Sequence, residues 1–370
     1  MNIQCLFKRS LTGAALLLAS SAVWGTTCEF LPDNPSGDNP LMTTMPLQGS
    51  TISVGRDLPD GATLFRQTFI ASPRMRIRCA ASVSTIREEY RLESTPLPQI
   101  PPGRPEFQGK IYETGVPGVG VAVWYAGNGF PFSRSLGNCG GGTAACHWGI
   151  SGIMDISLIK TGPIAGGVIR GDLLPSISMH WLTGNDLELH RIKFSGTVNV
   201  VTATCATPDV NVPLGLHRVN DLKGIDTGTP WRDFEIRLDG CPAVSGYSNG
   251  TNPTIWYSDG SSTAGTRTGH AVSYQLNPQA GSIDAARGIA RLSASTSGRA
   301  PAAGGIGVQI ADRANQPVRL ASLNAGPNMH VGTAAGTSYS IRLRARYIQV
   351  ADTVTPGPAN AAVEFMLQYH

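Results

Sequence analysis

Beyond its first 25 residues the sequence has no apolar run approaching the ~18 residues of a bilayer-spanning helix, and no sustained helical period. It has no Lys/Arg cluster, no CxxC, no HExxH and no Cys/His pairing at zinc spacing. The Gly-rich stretches at 115–120 and 140–142 lack both a P-loop lysine and a following helix. These shortfalls set aside membrane insertion, nucleic acid as a partner, a metal and any nucleotide cofactor. Gly246-Tyr247-Ser248-Asn249-Gly250 matches the nucleophile-elbow pattern, but that chemistry needs a strand turning into a helix, and no helix follows. A surface loop is the expected reading. A secreted hydrolase using Ser248 is the weakest alternative, so no catalytic residue is expected.

What is present begins with an export leader. Lys8 and Arg9 precede the apolar run from Leu11 to Val23, and Val23-Trp24-Gly25 offers a cleavage site after Gly25, with Ala22 as the second choice. Cys28 has no lipobox before it. Of 29 Lys and Arg, two fall in the leader, so about 27 face 25 Asp and Glu, a net charge of about +2 that says nothing about a partner. The mature chain keeps Cys28, Cys79, Cys139, Cys146, Cys205 and Cys241. Six cysteines pair in 15 ways; nearness along the chain favours Cys28–Cys79, Cys139–Cys146 and Cys205–Cys241, formed in an oxidising compartment.

Gly (44) and Pro (26) punctuate the chain too often for long helices. Short segments with alternating apolar residues recur between turns: Leu64 to Ile70, Val119 to Tyr125, Ile153 to Ile159, Ile192 to Val201, Val210 to Val212, Phe234 to Leu238 and Ser340 to Tyr347. Strands without helices predict sandwiches. The length suits two domains. The expected division is a signal peptide at 1–25, a first domain at 26–195, a linker at 196–204 and a second domain at 205–370.

The C-terminal alternation places Val363, Phe365, Leu367 and Tyr369 on one strand face, which by itself reads as a last core strand. Cys205, Val212-Pro213-Leu214-Gly215, Phe234 to Cys241, Gly305 to Ile310, Leu343 to Tyr347 and this closing row with Tyr369 together resemble a chaperone–usher pilin domain. The resemblance implies an all-β chain of two immunoglobulin-like or jelly-roll-like sandwiches in tandem, the second an incomplete, six-stranded pilin fold. Its groove would be filled first by a periplasmic chaperone, at an outer-membrane usher, and then by a strand from the adjacent pilin subunit. Val363, Phe365, Leu367 and Tyr369 would pair with the chaperone's edge strand, and the His370 carboxylate would meet basic chaperone residues. Only Thr26 and Thr27 stand between the expected cleavage site and Cys28. With no donor strand of its own, such a subunit is expected at the fimbrial tip, on the cell surface.

Residues 26–195 resemble, more distantly, the lectin domain of type 1 fimbrial adhesins, through Cys28, Cys79 and the run from Leu158 to Val168. The sugar-binding positions of that family fall near Thr26, on Ala80-Ala81-Ser82, on Glu89 and on Trp181 to Asp186. The family's Asn-Asp pair is missing at Ala80 to Ser82, which separates the expected glycan site from mannose recognition. Trp181, Asn185 and Asp186 combine an aromatic face with polar groups, as sugar sites do. Trp124, Tyr125, Asn128, His147 and Trp148 do so too. Core packing is the competing reading for each tryptophan, and a plain turn for Asn185-Asp186. A first domain that binds a protein or an abiotic surface in biofilm formation is the alternative to a glycan receptor.

Overall fold

The computed structural model describes residues 26–101, 105–139, 145–295 and 300–370. The leader expected at 1–25 lies outside the described residues. The chain is nearly all β and forms two sandwich units in tandem, each with its own apolar core. Three disulfides staple it: Cys28–Cys79, Cys139–Cys146 and Cys205–Cys241.

In the first unit a five-stranded sheet runs in the order Phe132–Gly137, Ile86–Ser94, Ser176–Leu182, Asp186–Ser195, Leu41–Pro46. Period-2 alternation decides which side chains it sends inward. Tyr90, Ile177, Met179, Trp181 and Ile192 point into a core shared with Phe69, Val121, Val123, Ile156 and Leu158. Those last five belong to a second sheet containing Thr63–Ile70, Met154–Lys160 and Val119–Tyr125.

The run expected as one strand from Ile192 to Val201 is two strands, Asp186–Ser195 and Thr197–Ala203. Gly196 divides them with φ +77°, a region that only glycine enters without strain. The stretch expected to be a linker at 196–204 therefore holds a strand. Thr197–Ala203 pairs in parallel with Ser50–Gly55 and antiparallel with Gly167–Arg170. Val198 and Val200 alternate into the first core, and burying both outweighs leaving the segment free.

The second unit stacks the sheet Arg232–Cys241, Thr337–Gln349, Ile306–Asp312, Ile289–Ala290, Ser282–Asp284 on a three-stranded sheet. The latter runs Asn324–Met329, His270–Pro278, Val363–Tyr369. Ile236, Leu238, Leu276, Ile310, Leu343, Leu367 and Tyr369 fill the space between them. The segment around Val210 to Val212, expected as a strand, is extended but joins no ladder among the described residues. Pro208 and Pro213 remove two of its N–H donors.

The two units are joined by more than the chain. A hairpin of the second half, Thr254–Tyr257 with Ser262–Thr263, adds to the first unit's sheet by parallel pairing with Thr63–Ile70. Trp256 from this hairpin packs on Phe69, ring centroids 5.9 Å apart. Beside it the Ser53 hydroxyl accepts from Gly246 N–H at 2.7 Å and meets His270 Nε2 at 3.0 Å. Arg267 donates to the carbonyls of Gly49 and Thr51. Asp57 bonds the backbone of Tyr369 through both its own N–H and its carboxylate. A chain truncated after residue 203 loses the hairpin, and amide exchange across Thr63–Ile70 should then be faster than in the whole chain. Unchanged protection would show that the pairing contributes nothing.

His190 sits wholly inside the first core, its ring 4.5 Å from Phe69 and its Nδ1 without a hydrogen-bond partner. Burial pushes its pKa down from 6.5 to about 3. Between those values the unfolded chain binds a proton that the folded chain refuses. Stability is therefore intact above pH 6.5 and falls as pH drops through this window, by at most ~1.4 kcal/mol per pH unit. Melting temperatures recorded from pH 7 to 4.5 should decline less steeply for His190→Phe than for the unaltered chain.

Candidate functional site

A groove of about 740 Å³ opens along the second unit. One wall is the extended segment 209–215, which brings Val210, Val212 and Leu214. The other is the chain from Ala359 to Phe365. The floor is apolar: Phe234, Ile236, Leu276, Val308, Ile310 and Ala345. Tyr347 fixes the far wall by donating its hydroxyl proton to the Ala359 carbonyl at 2.9 Å.

The strand Val363–Tyr369 pairs with His270–Pro278 on one side only and ends its sheet. Its other edge borders the groove, opposite a segment held by the Cys205–Cys241 disulfide, the Ala206–Asp239 bridge and the burial of Leu214. Among the described residues no strand pairs with this edge, which Asp57 caps at Tyr369, so the apolar trough runs beside an edge strand.

The four-residue row read from the sequence divides here. Leu367 and Tyr369 are buried in the core, whereas Val363 and Phe365 are half-buried and line the groove. The Tyr369 phenol accepts from Cys205 N–H at 3.3 Å. His370, expected to meet a chaperone's basic residues, exchanges two backbone hydrogen bonds with Ala271.

In the first unit the expected sugar residues have separate fates. Trp181 is fully buried, not sugar-facing. Alternation through Ile177, Met179 and Trp181 sends it inward, where its indole N–H donates to Glu88 at 3.3 Å and its ring meets Trp148 edge-on. Asn185 is saturated: its amide bonds both the N–H and the carbonyl of Cys28, and its oxygen also accepts from the Thr183 hydroxyl. Thr26 is close by, its carbonyl accepting from Gly184 N–H at 2.6 Å.

Asp186 is exposed and bonds His180 Nδ1 at 2.7 Å and Arg91 at 2.9 Å. Partial burial raises its pKa, but the hydrogen bonds from Arg91 and His180 outweigh this and hold the carboxyl below its ordinary value. Arg91 also grips Glu89, which stands opposite His180 on the neighbouring strand. Thr26, Asn185, Asp186 and Glu89 therefore gather at one end of the sheet.

Trp124 lies under the Arg66 guanidinium and donates to Ser157. Tyr125 lies under Arg134, with Asn128 exposed in the adjoining hairpin. His147 sits opposite Arg78 across a strand pair. Ser248 lies in a loop, where its hydroxyl accepts from Gly250 N–H.

Sequence reasoning missed Glu88, a buried carboxylate that accepts from Tyr90, Trp181 and Arg134. Its position between inward-facing Ile86 and Tyr90 was the available signal.

The second unit is thus a sandwich with an apolar slot beside its edge strand. Residues 192–370 match the family described as fimbrial protein. Most of the chain is similar to a fimbria adhesin. It is 23% identical over 326 residues to the fimbria adhesin protein of Klebsiella pneumoniae, covering 86% of this chain and 88% of that one. It is 27% identical over 180 residues to long polar fimbria protein A of Salmonella typhimurium, covering 48% of this chain and 82% of that one. Among solved structures, the CupB6 tip adhesin of Pseudomonas aeruginosa aligns over 93% of this chain and 95% of its own at 14% identity, with a TM-score of 0.36.

Proposed function

We propose that this chain is a fimbrial tip adhesin without enzymatic activity. The unit at 205–370 anchors it by accepting a strand from the adjacent pilin subunit, and the unit at 26–195 binds a surface glycan. The observation that carries the reading is the trough between residues 209–215 and Val363–Tyr369. Its apolar floor is costly to leave in water, and no described strand pairs with the edge beside it. A periplasmic chaperone covers this trough after export, and the usher hands it to the neighbouring subunit at the tip of a surface fimbria. Similarity to a fimbria adhesin along most of the chain favours the same assignment.

Glu89 and Asp186 support the receptor reading because they share one network with Arg91 and His180, and Thr26 lies beside it, bonded to the turn at Gly184. Trp181 is left out of that site. A pilin peptide of a dozen residues with alternating apolar side chains should raise the melting temperature of the second unit. At a hundredfold excess over Kd the gain is ~2.7 kcal/mol. No shift at saturation would mean that the trough takes no strand. The peptide-bound chain, applied to a glycan array, should bind a defined set of sugars, and Asp186→Ala should weaken that binding. A silent array beside a clear thermal shift would remove the glycan receptor and leave the anchor standing.

A further inference from the structure

Three of the six described cysteines lie on one small sheet, and a fourth, Cys139, is bonded to it. In the order Cys28–Phe30, Met75–Cys79, Cys146–Ile150, the central strand places Cys79 directly opposite Cys28 on one side and Cys146 on the other. Cys79 is bonded to Cys28, and Cys146 to Cys139. Even so, the sulfurs of Cys79, Cys139 and Cys146 all lie within 4.8 Å of one another. Residues opposed across an antiparallel pair have Cα atoms ~4.5–5.5 Å apart, within the span of a disulfide. Cys79 therefore has two partners of suitable geometry.

The two bonds differ in access. Cys28 and Cys79 are buried, whereas Cys139 and Cys146 are half-buried. The Trp148 indole N–H points at Cys146 Sγ at 3.1 Å, a contact that favours negative charge on that sulfur.

We propose that these two disulfides form an exchange pair. An external dithiol first reduces Cys139–Cys146 and is itself oxidised. The Cys146 thiolate then attacks Cys79 Sγ from the side opposite Cys28, the direction from which a leaving sulfur is displaced. A Cys79–Cys146 bond forms and the Cys28–Cys79 bond breaks. Its electron pair leaves on Cys28 Sγ, which takes a proton from water, and Cys139 remains a thiol. This second step neither consumes nor yields electrons. Its product leaves the Cys28–Phe30 strand, with Thr26 just before it, without a covalent tie, held by hydrogen bonds, the Arg78–Glu29 ion pair and the burial of Phe30.

The test uses the full chain with Cys139→Ser, which leaves Cys146 without its partner. Alkylation and peptide mapping at neutral pH should find Cys79–Cys146 together with alkylated Cys28. Label confined to Cys146, with Cys28–Cys79 intact throughout, overturns the proposal. Adding Trp148→Phe to that variant should slow formation of the new bond several-fold, and an unchanged rate overturns the assignment of Cys146 as the favoured thiolate. The unaltered chain needs no variant to fold. With limiting dithiothreitol, Cys79–Cys146 should appear after Cys139–Cys146 opens, and direct passage to four free thiols overturns the exchange.

Discussion

The second unit is governed by an unsatisfied edge. Its strand Val363–Tyr369 finds a neighbour in His270–Pro278 and none on the groove side. Segment 206–217 enters no ladder beyond the Ala206–Asp239 bridge among the described residues, and Pro208 and Pro213 lack N–H donors. Ile236, Leu276 and Ile310 belong to the packed interior and also form the trough floor. An apolar interior left open along one side is costly to keep in contact with water.

The first unit solves the same edge problem within the chain. Thr63–Ile70 would end its sheet, but the Thr254–Tyr257 hairpin from the second half covers it. Around that ladder lie contacts of a different kind: Ser53 with Gly246 and His270, Arg267 with two carbonyls, and Asp57 with the Tyr369 backbone. The joint thus combines an apolar contact, Trp256 on Phe69, with directional polar ones, which suits one defined geometry.

The fold class was legible because alternation and turn chemistry are local signals. Phe234 to Leu238 and the closing row at Val363 to Tyr369 are strands in the structure, with the apolar positions facing inward. What was illegible is non-local. No window of sequence reports that Thr254–Tyr257 pairs with Thr63–Ile70, or that Gly196 turns one expected strand into two. Trp181 illustrates a different failure. Its chemistry and its neighbours Asn185 and Asp186 suggested a sugar site, yet the alternation from Ile177 onward already directed it inward. Glu88 was hidden for the opposite reason, since a carboxylate in a strand reads as solvent-facing until Arg134, Tyr90 and Trp181 are seen to surround it.

The hairpin that covers Thr63–Ile70 is encoded far downstream of the strand it protects. Synthesis in chain order makes that strand first. It then waits while the intervening residues, including the whole of the next unit's strand Arg232–Cys241, follow. During that interval the nascent protein carries a bare Phe69-bearing edge, a hazard for misassociation that ends only when the cover arrives. The architecture therefore imposes a timetable on folding, with maturation of the leading unit delayed until part of the trailing one has emerged.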